Sequence, residues 1–384
     1  MSKNIYLDYA STTFIKEKVL KEMMPYLTEY YGNPSSIHSM SREVKKAIYE
    51  AKIRTANAIN ANREEIFFTS GGTEADNWAI KGVAFRNKDK GNHIITTKIE
   101  HNAVLNSCRY LEEQGFRVTY LPVDEEGIIK IEDLKKAMTK ETILVSVMFG
   151  NNEVGSIQPI KEIGKICRER NILFHTDAVQ AVGSVAIDVK DLNVDLLSMS
   201  SHKFYGPKGV GALYIRKGVK LHNLMHGGSQ ERAKRSGTEN VPGIVGIGKA
   251  IELATENLEK EKDRLSCLRD KLIDSLLRIP NSKLNGPTGE KRLPGNVNVS
   301  FKDVSGGTML IALDDIGVFA SAGSACTAGS LEPSHVLLSL GVPEDMARSS
   351  VRFTMGARTT EDEIDYLIEV MPGIIEKIRS INIE

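Results

Sequence analysis

Between about residue 60 and residue 240 the chain alternates short β-branched runs with helical patterns, and few folds accept that rhythm. Residues 66–69 read as a strand and 73–84 as a helix. Residues 93–97 read as a strand, 102–114 as a helix and 116–121 again as a strand. Residues 131–138 are helical, 143–148 a strand and 159–169 a helix, and short apolar runs follow at 172–174, 196–199 and 212–215. Repeated strand–helix units imply a mostly parallel sheet with helices on both faces, an α/β architecture. Ligands bind such sheets beyond the carboxyl ends of the strands. Polar clusters follow the strand ends here: Ser70-Gly71-Gly72-Thr73, Glu100-His101, Asn151-Asn152-Glu153, Asp177 and Ser200-Ser201-His202-Lys203. One site is expected to collect them.

The pattern changes after Gly243. Leucines at 258, 265, 268, 272 and 276 mark a long amphipathic helix that stops before Pro280. Thr360-x-x-Glu363 is a capping box opening a helix with Ile364, Leu367, Ile368 and Met371 on one face. A chain of 384 residues exceeds a single ordinary core. The expected division is a large domain over 15–258, with 1–14 and 259–384 forming a smaller α+β domain.

Composition excludes several classes. Lys+Arg and Asp+Glu are 50 each, so no net field favours nucleic acid or an anionic membrane. The N-terminus has no apolar signal core, and apolar runs such as 143–149 are far too short to span a bilayer. A cytoplasmic protein is expected, with neither nucleic-acid nor membrane partners. Cys108, Cys167, Cys267 and Cys326 show no Cys-x-x-Cys spacing, so no metal site and no disulfide framework is suggested, and thiols are expected.

Lys203 follows an apolar run and precedes the Gly206-Pro207-Lys208-Gly209 turn. A lysine so placed among hydroxyls and a histidine suits trapping of an aldehyde cofactor as a Schiff base. Asp177 closes another apolar run, and a buried carboxylate there keeps a pyridinium nitrogen protonated. Gln180, three residues on, reaches the same ligand face. Gly72 and Thr73 open a helix and suit a phosphate, with Ser200 and His202 as further donors. His101 suits stacking on a flat ring and proton relay, with a capping or core histidine as the alternative. Cys326 sits in a run of Ala, Gly, Ser and Thr in which its thiol is the reactive group. Arg352, flanked by apolar residues on a strand, suits a carboxylate held in a bidentate fork, with a structural salt bridge as the rival.

The ordered set of motifs resembles the fold-type-I, class V aminotransferase-like enzymes that use pyridoxal 5'-phosphate, and more narrowly the NifS/IscS-type cysteine desulfurases. The motifs run almost from end to end: Tyr6-Leu7-Asp8-Tyr9-Ala10-Ser11-Thr12-Thr13, Gly32-Asn33-Pro34-Ser35-Ser36, Thr69-Ser70-Gly71-Gly72-Thr73-Glu74, and Asn151-Asn152-Glu153-x-Gly155. His175-x-Asp177-Ala178-x-Gln180, His202-Lys203-Phe204-Tyr205-Gly206-Pro207, Arg235-Ser236-Gly237-Thr238 and Gly323-Ser324-Ala325-Cys326 complete them. The resemblance implies the fold-type-I architecture, a large domain with a mostly parallel seven-stranded sheet plus a smaller α+β domain. It implies Lys203 as the cofactor-bearing lysine, Asp177 and Gln180 on the ring, and His101 stacked on it and catalytic. It places the phosphate on Gly72, Thr73, Ser200 and His202, and the substrate carboxylate on Asn152 and Arg352, with Asn152 also near the cofactor. Cys326 becomes the sulfur acceptor. Thr238 reaches the phosphate of the other subunit, which implies a homodimer with shared sites. The implied reaction takes L-cysteine to L-alanine and leaves a persulfide for a sulfur-acceptor or scaffold protein, with iron–sulfur cluster assembly as the leading destination and tRNA thiolation another. Phe14, Ser41 and Ser229 depart from the family pattern, and none is at a catalytic position. The rivals are a class V aminotransferase, a selenocysteine lyase or a non-catalytic sulfur carrier.

Overall fold

The computed structural model describes residues 4–322 and 333–381; Cys326 lies outside them. Seven strands form the large sheet: β2 (Ile66–Thr69), β3 (His93–Thr97), β4 (Arg117–Leu121), β5 (Thr142–Ser146), β6 (Leu173–Asp177), β7 (Leu196–Ser200) and β8 (Gly211–Ile215). Their order is β2-β8-β7-β6-β5-β3-β4. The mostly parallel reading holds, with one exception. β8 runs antiparallel to both β7 and β2, while the other strands share one direction.

Alternate residues of each strand serve opposite faces of the sheet, as a period of two demands. Ile95, Val145, Leu197 and Ala212 pack into one core with Ile163, Ile244 and Ile247. Ile94, Leu144, Leu196 and Leu213 pack into the other, against Trp78, Val83, Val104 and Leu111. Both layers of helix arise from simple periodicity. The helix Ile160–Glu169 buries Ile160, Ile163, Ile166 and Cys167 and turns Lys161, Glu162 and Lys165 outward. Burial of each such Ile or Leu side chain contributes about 1.5–3 kcal/mol.

A second core lies beyond residue 257. β9 (Ser282–Leu284), β10 (Asn296–Phe301) and β12 (Ser350–Thr354) form an antiparallel sheet with β10 central. The helices Leu258–Leu276 and Glu361–Ile381 supply Leu268, Leu272, Leu276, Ile364, Leu367 and Met371 to it. The capping box at the start of the latter is present: the Thr360 N–H donates to the Glu363 carboxylate at 3.0 Å, and the Glu363 N–H donates to Thr360 Oγ1 at 3.3 Å. Ile5 and Leu7 join this core, and β1 (Ile5–Tyr6) pairs in parallel with β11 (Val318–Phe319). On this packing we take 15–258 as one unit and 1–14 with 259–384 as the other. Among the described residues no helix is long and apolar enough to cross a membrane.

Candidate active site

The carboxyl ends of β2, β3, β5, β6 and β7 converge on a cleft of about 660 Å³, within the usual size of a small-molecule site. A larger groove of about 1200 Å³, lined by residues such as Arg86, Lys90 and Lys140, is centred instead on residues 138–143, 170–173 and 216–220, and it holds none of the predicted site residues. The cleft brings together His101, Gly72, Thr73, Asn152, Asp177, Gln180, Ser200, His202, Lys203 and Arg352. Thr238 does not line it; it is exposed in the loop after the helix Gln230–Ala233.

Lys203 ends a short 3₁₀ turn, Ser201–Lys203, that directly follows β7. Its Nζ donates to the backbone carbonyls of Ala10 and Ser11, the latter at 2.9 Å. The next turn places Tyr205 at φ 68°, a left-handed conformation that a bulky residue adopts only when held there. The Tyr205 N–H donates to Thr13 Oγ1 at 2.9 Å, and its hydroxyl accepts from the Ala357 N–H at 2.8 Å. Those two contacts tie the Lys203 turn to the N-terminal segment and to the second core.

Asp177 is the last residue of β6, and its Oδ1 accepts from the Val179 N–H at 2.9 Å. Burial raises its pKa, while His101, the Val179 amide and Lys203 draw it back down. A cationic partner on this carboxylate therefore favours the ionised form. Gln180 Nε2 donates to the Ala10 carbonyl at 3.0 Å, so Gln180 and Lys203 share one anchor in the N-terminal segment.

His101 caps the helix Asn102–Glu113, its Nδ1 accepting from the Ala103 N–H at 3.1 Å. That bond assigns the ring proton of the neutral imidazole to Nε2. The capping alternative is thus realised, and the residue also lines the cleft. His202 Nδ1 lies 3.2 Å from Thr12 Oγ1, and burial beside Lys203 and Lys208 lowers its pKa to about 4, so it is neutral at pH 7.

The phosphate end is built on glycine. At Gly72 a Cβ would meet Val179 Cγ2 at 2.7 Å and Ser200 Cβ at 3.5 Å. At Gly211, the first residue of β8, it would meet Gly71 Cα and the Met199 carbonyl at 2.7 and 2.6 Å. Backbone therefore closes against backbone here, leaving the N-terminus of the helix Gly72–Arg86 open to the cleft, where its N–H groups and dipole favour an anion. Pyridoxal phosphate fits this donor set: an anion seat, a buried carboxylate for a ring nitrogen, and a lysine between them.

Arg352, on β12, is 1% exposed. One Nη donates to Asp8 Oδ1 at 2.9 Å and Ser11 Oγ at 2.8 Å, and the other to the Asn152 carbonyl at 3.0 Å. The salt bridge weighed as a rival is present, and both fork nitrogens are engaged by the chain itself. Nε is buried without a partner among the described residues, which leaves one donor for a carboxylate.

Several cleft residues had no role assigned from the sequence. Ala10 and Ser11 supply backbone carbonyls, which no side-chain pattern reveals. Glu153 accepts from Ser334 Oγ at 2.5 Å, and burial raises its pKa to about 7. His335 lines the cleft and its Nε2 sits 3.0 Å from the Glu100 carbonyl. Asp76 also lines it. Asp76 carries no local signal, because a carboxylate inside a helical run reads as a solvated face.

A sheet with this strand order, a lysine past β7 and an acid closing β6 define a pyridoxal-phosphate enzyme of fold type I. The profile of the family described as Aminotransferase class-V matches residues 5–367, and the chain belongs to that family. Within it, the chain is 61% identical over all 384 residues to "Cysteine desulfurase IscS" of Clostridium botulinum, covering 97% of that protein. It is 55% identical to "Cysteine desulfurase IscS" of Methanosarcina thermophila, over 99% of this chain and 94% of that one. Among solved structures, one described as "NIFS-LIKE PROTEIN" superposes with a TM-score of 0.90 at 40% identity, with 99% of both chains covered. Another, "SspA in complex with cysteine", superposes with a TM-score of 0.81 at 37% identity over 91% of this chain and 98% of that one.

Proposed function

We infer that this chain is a pyridoxal-phosphate-dependent cysteine desulfurase that converts L-cysteine to L-alanine and leaves the sulfur as a persulfide on Cys326. The observation that carries this reading is the convergence of Lys203, Asp177 and His101 in one cleft walled by the buried Arg352. The bound cofactor supplies an electron sink for negative charge at the substrate Cα. Lys203 carries the cofactor through Nζ and, once released, takes the Cα proton. Asp177 holds a proton at the ring nitrogen, and Gln180 donates toward the ring oxygen. Gly72, Thr73, Ser200 and His202 bind the phosphate, and His202 does so as a neutral donor. Arg352 Nε and Asn152 hold the substrate carboxylate. His101 stacks on the ring and moves a proton at Nε2. Cys326, as thiolate, attacks the substrate sulfur. The Cβ–S bond breaks as the S–S bond forms, and Cβ is left as a protonated methyl, so no external oxidant is needed.

A second copy of the chain completes the site, with Thr238 of each protomer serving the phosphate of its partner. Supporting this, Tyr31 is 73% and Ile37 91% exposed. They flank Pro34 and Ser35, which line a surface depression with Tyr49, Gln230 and Glu239. The sulfur passes in the cytoplasm to an acceptor or scaffold protein, with iron–sulfur cluster assembly as the destination this reading favours.

Borohydride reduction of the holoenzyme followed by peptide mapping is expected to label Lys203. Incubation with cysteine is expected to add one sulfur to the peptide carrying Cys326 and none in Cys326→Ser. A label on another lysine, or the added sulfur on Cys108, Cys167 or Cys267, overturns the reading.

A further inference from the structure

Beneath Asp177 lies a polar lattice that the reaction just described does not use. Ser146 on β5 is the register partner of His175 on β6, and Ser198 on β7 is the register partner of Asp177. His175 and Asp177 are two residues apart on one strand, so both face the same side of the sheet. His175 Nδ1 lies 2.8 Å from Ser146 Oγ, and its Nε2 lies 3.0 Å from Ser198 Oγ. The helix Gly72–Arg86 lays Asp76 over this row, 1% exposed, with Oδ1 3.6 Å from His175 Nε2. Oδ1 has no hydrogen-bond partner among the described residues.

His175 is no cation here, because complete burial drives its pKa down to about 3. The Asp76–His175 contact is therefore not an ion pair at neutral pH. The groups acting on Asp76 are Asp177, Glu100 and the Ser198 hydroxyl, and burial together with the two carboxylates pushes its pKa well up. Asp177 instead feels His101, Lys203 and a backbone amide. Two neighbouring buried carboxylates do not both ionise, and the charge settles where cations face it.

We propose that Asp76 is a positioning residue that stays protonated beneath Asp177, so that the pair carries one negative charge and Asp177 holds it. The proton also resolves the orphaned oxygen. An ionised Oδ1 with no donor would be a buried, unsolvated charge. A protonated Oδ1 is a donor facing the His175 Nε2 lone pair, and a small side-chain rotation brings the 3.6 Å separation to the ~2.9 Å of a hydrogen bond. His175 then donates from Nδ1 to Ser146, the Ser198 hydroxyl turns its proton from Nε2 to the Asp76 carboxyl, and the row is satisfied from β5 to the helix. Asp76 acts on the ring nitrogen only through Asp177, by making the full charge of the pair available there.

The proposal rests on the reading of Asp177 as the partner of the cofactor's ring nitrogen and deepens it. Infrared difference spectra of the holoenzyme at pH 7 test it. Wild type minus Asp76→Asn is expected to show the carbonyl stretch of a protonated carboxylic acid and no carboxylate bands. Glu100→Gln removes a separate band and serves as the control for the neighbouring acid. Carboxylate bands in the Asp76→Asn difference overturn the proposal. Asp76→Leu is expected to lose pyridoxal phosphate on dialysis at least about tenfold more readily than Asp76→Asn, since only the amide keeps a donor toward His175; equal retention also overturns it. Should Asp76→Asn fail to fold, carboxyl-labelled aspartate in wild type reads the same band. Failure of the cofactor reading itself shows as absent borohydride labelling of Lys203 and leaves the infrared result standing.

Discussion

Gly72→Ala is a sharp test of the phosphate seat, because the geometry predicts both the damage and its remedy. A Cβ at this position would lie 2.7 Å from Val179 Cγ2 and 3.5 Å from Ser200 Cβ. Carbon atoms in comfortable contact stand about 3.5–4.0 Å apart, so the overlap with Val179 is about 1 Å. Val179 is β-branched, and its preferred rotamers offer the methyl little room to swing away. The helix start must therefore move away from Val179, which shifts its N–H groups relative to Ser200 and the anion they share. Overpacking of this size costs about 1–3 kcal/mol. Taken up at the seat, that weakens pyridoxal phosphate binding by about 5- to 150-fold. The assay is equilibrium binding of the cofactor to apoprotein, with urea unfolding run alongside to separate a local from a global effect. Adding Val179→Ala removes the clashing methyl and is expected to recover most of the lost affinity, a coupling that additive effects cannot produce. Wild-type cofactor affinity in Gly72→Ala, or a double variant no better than the single one, would refute the argument.

Two further outcomes follow from the same geometry. Glu100 is fully buried, its Oε1 accepting from the Met148 N–H at 2.9 Å and Thr97 Oγ1 at 2.8 Å, and burial raises its pKa to about 8. A carboxyl held protonated in the fold but ionised when unfolded makes stability fall as pH rises from the unfolded value near 4.5 to about 8. Glu100→Gln cannot ionise, so urea unfolding at pH 5.5 and 8 is expected to show a smaller decline in the variant, by on the order of a few kcal/mol; an unchanged decline counts against a buried proton there. Asp177→Asn is expected to keep bound cofactor yet slow exchange of the substrate α-hydrogen with deuterated solvent by at least about 100-fold, since a neutral amide does not hold the ring nitrogen protonated. Wild-type exchange in that variant contradicts its assigned role.

Local pattern alone determined much of this molecule. Ile66–Thr69 and His93–Thr97 are strands to the residue because short runs rich in β-branched and aromatic residues, too brief for a helix, suit a sheet covered on both faces. The clustering of Lys203, Asp177, His101 and Gly72 was legible for a related reason. Parallel strands bring their carboxyl ends to one edge, so polar residues placed just after such runs must meet. Other features were decided by tertiary structure. The direction of β8 is invisible in its own residues, since an apolar strand reads the same in either sense; the connection over 201–210 is too short for a parallel crossover and returns it antiparallel between β7 and β2. The pairing of Arg352 with Asp8 joins positions 344 residues apart, and no periodicity links the two ends of a chain. Lys203 and Gln180 meet the Ala10 carbonyl in the same way, through an N-terminal segment that returns across the cleft. Asp76 shows the limit most plainly. A carboxylate in a helix reads as solvated, and it is the sheet beneath it, with His175, Ser198 and Asp177 in register, that makes its proton matter.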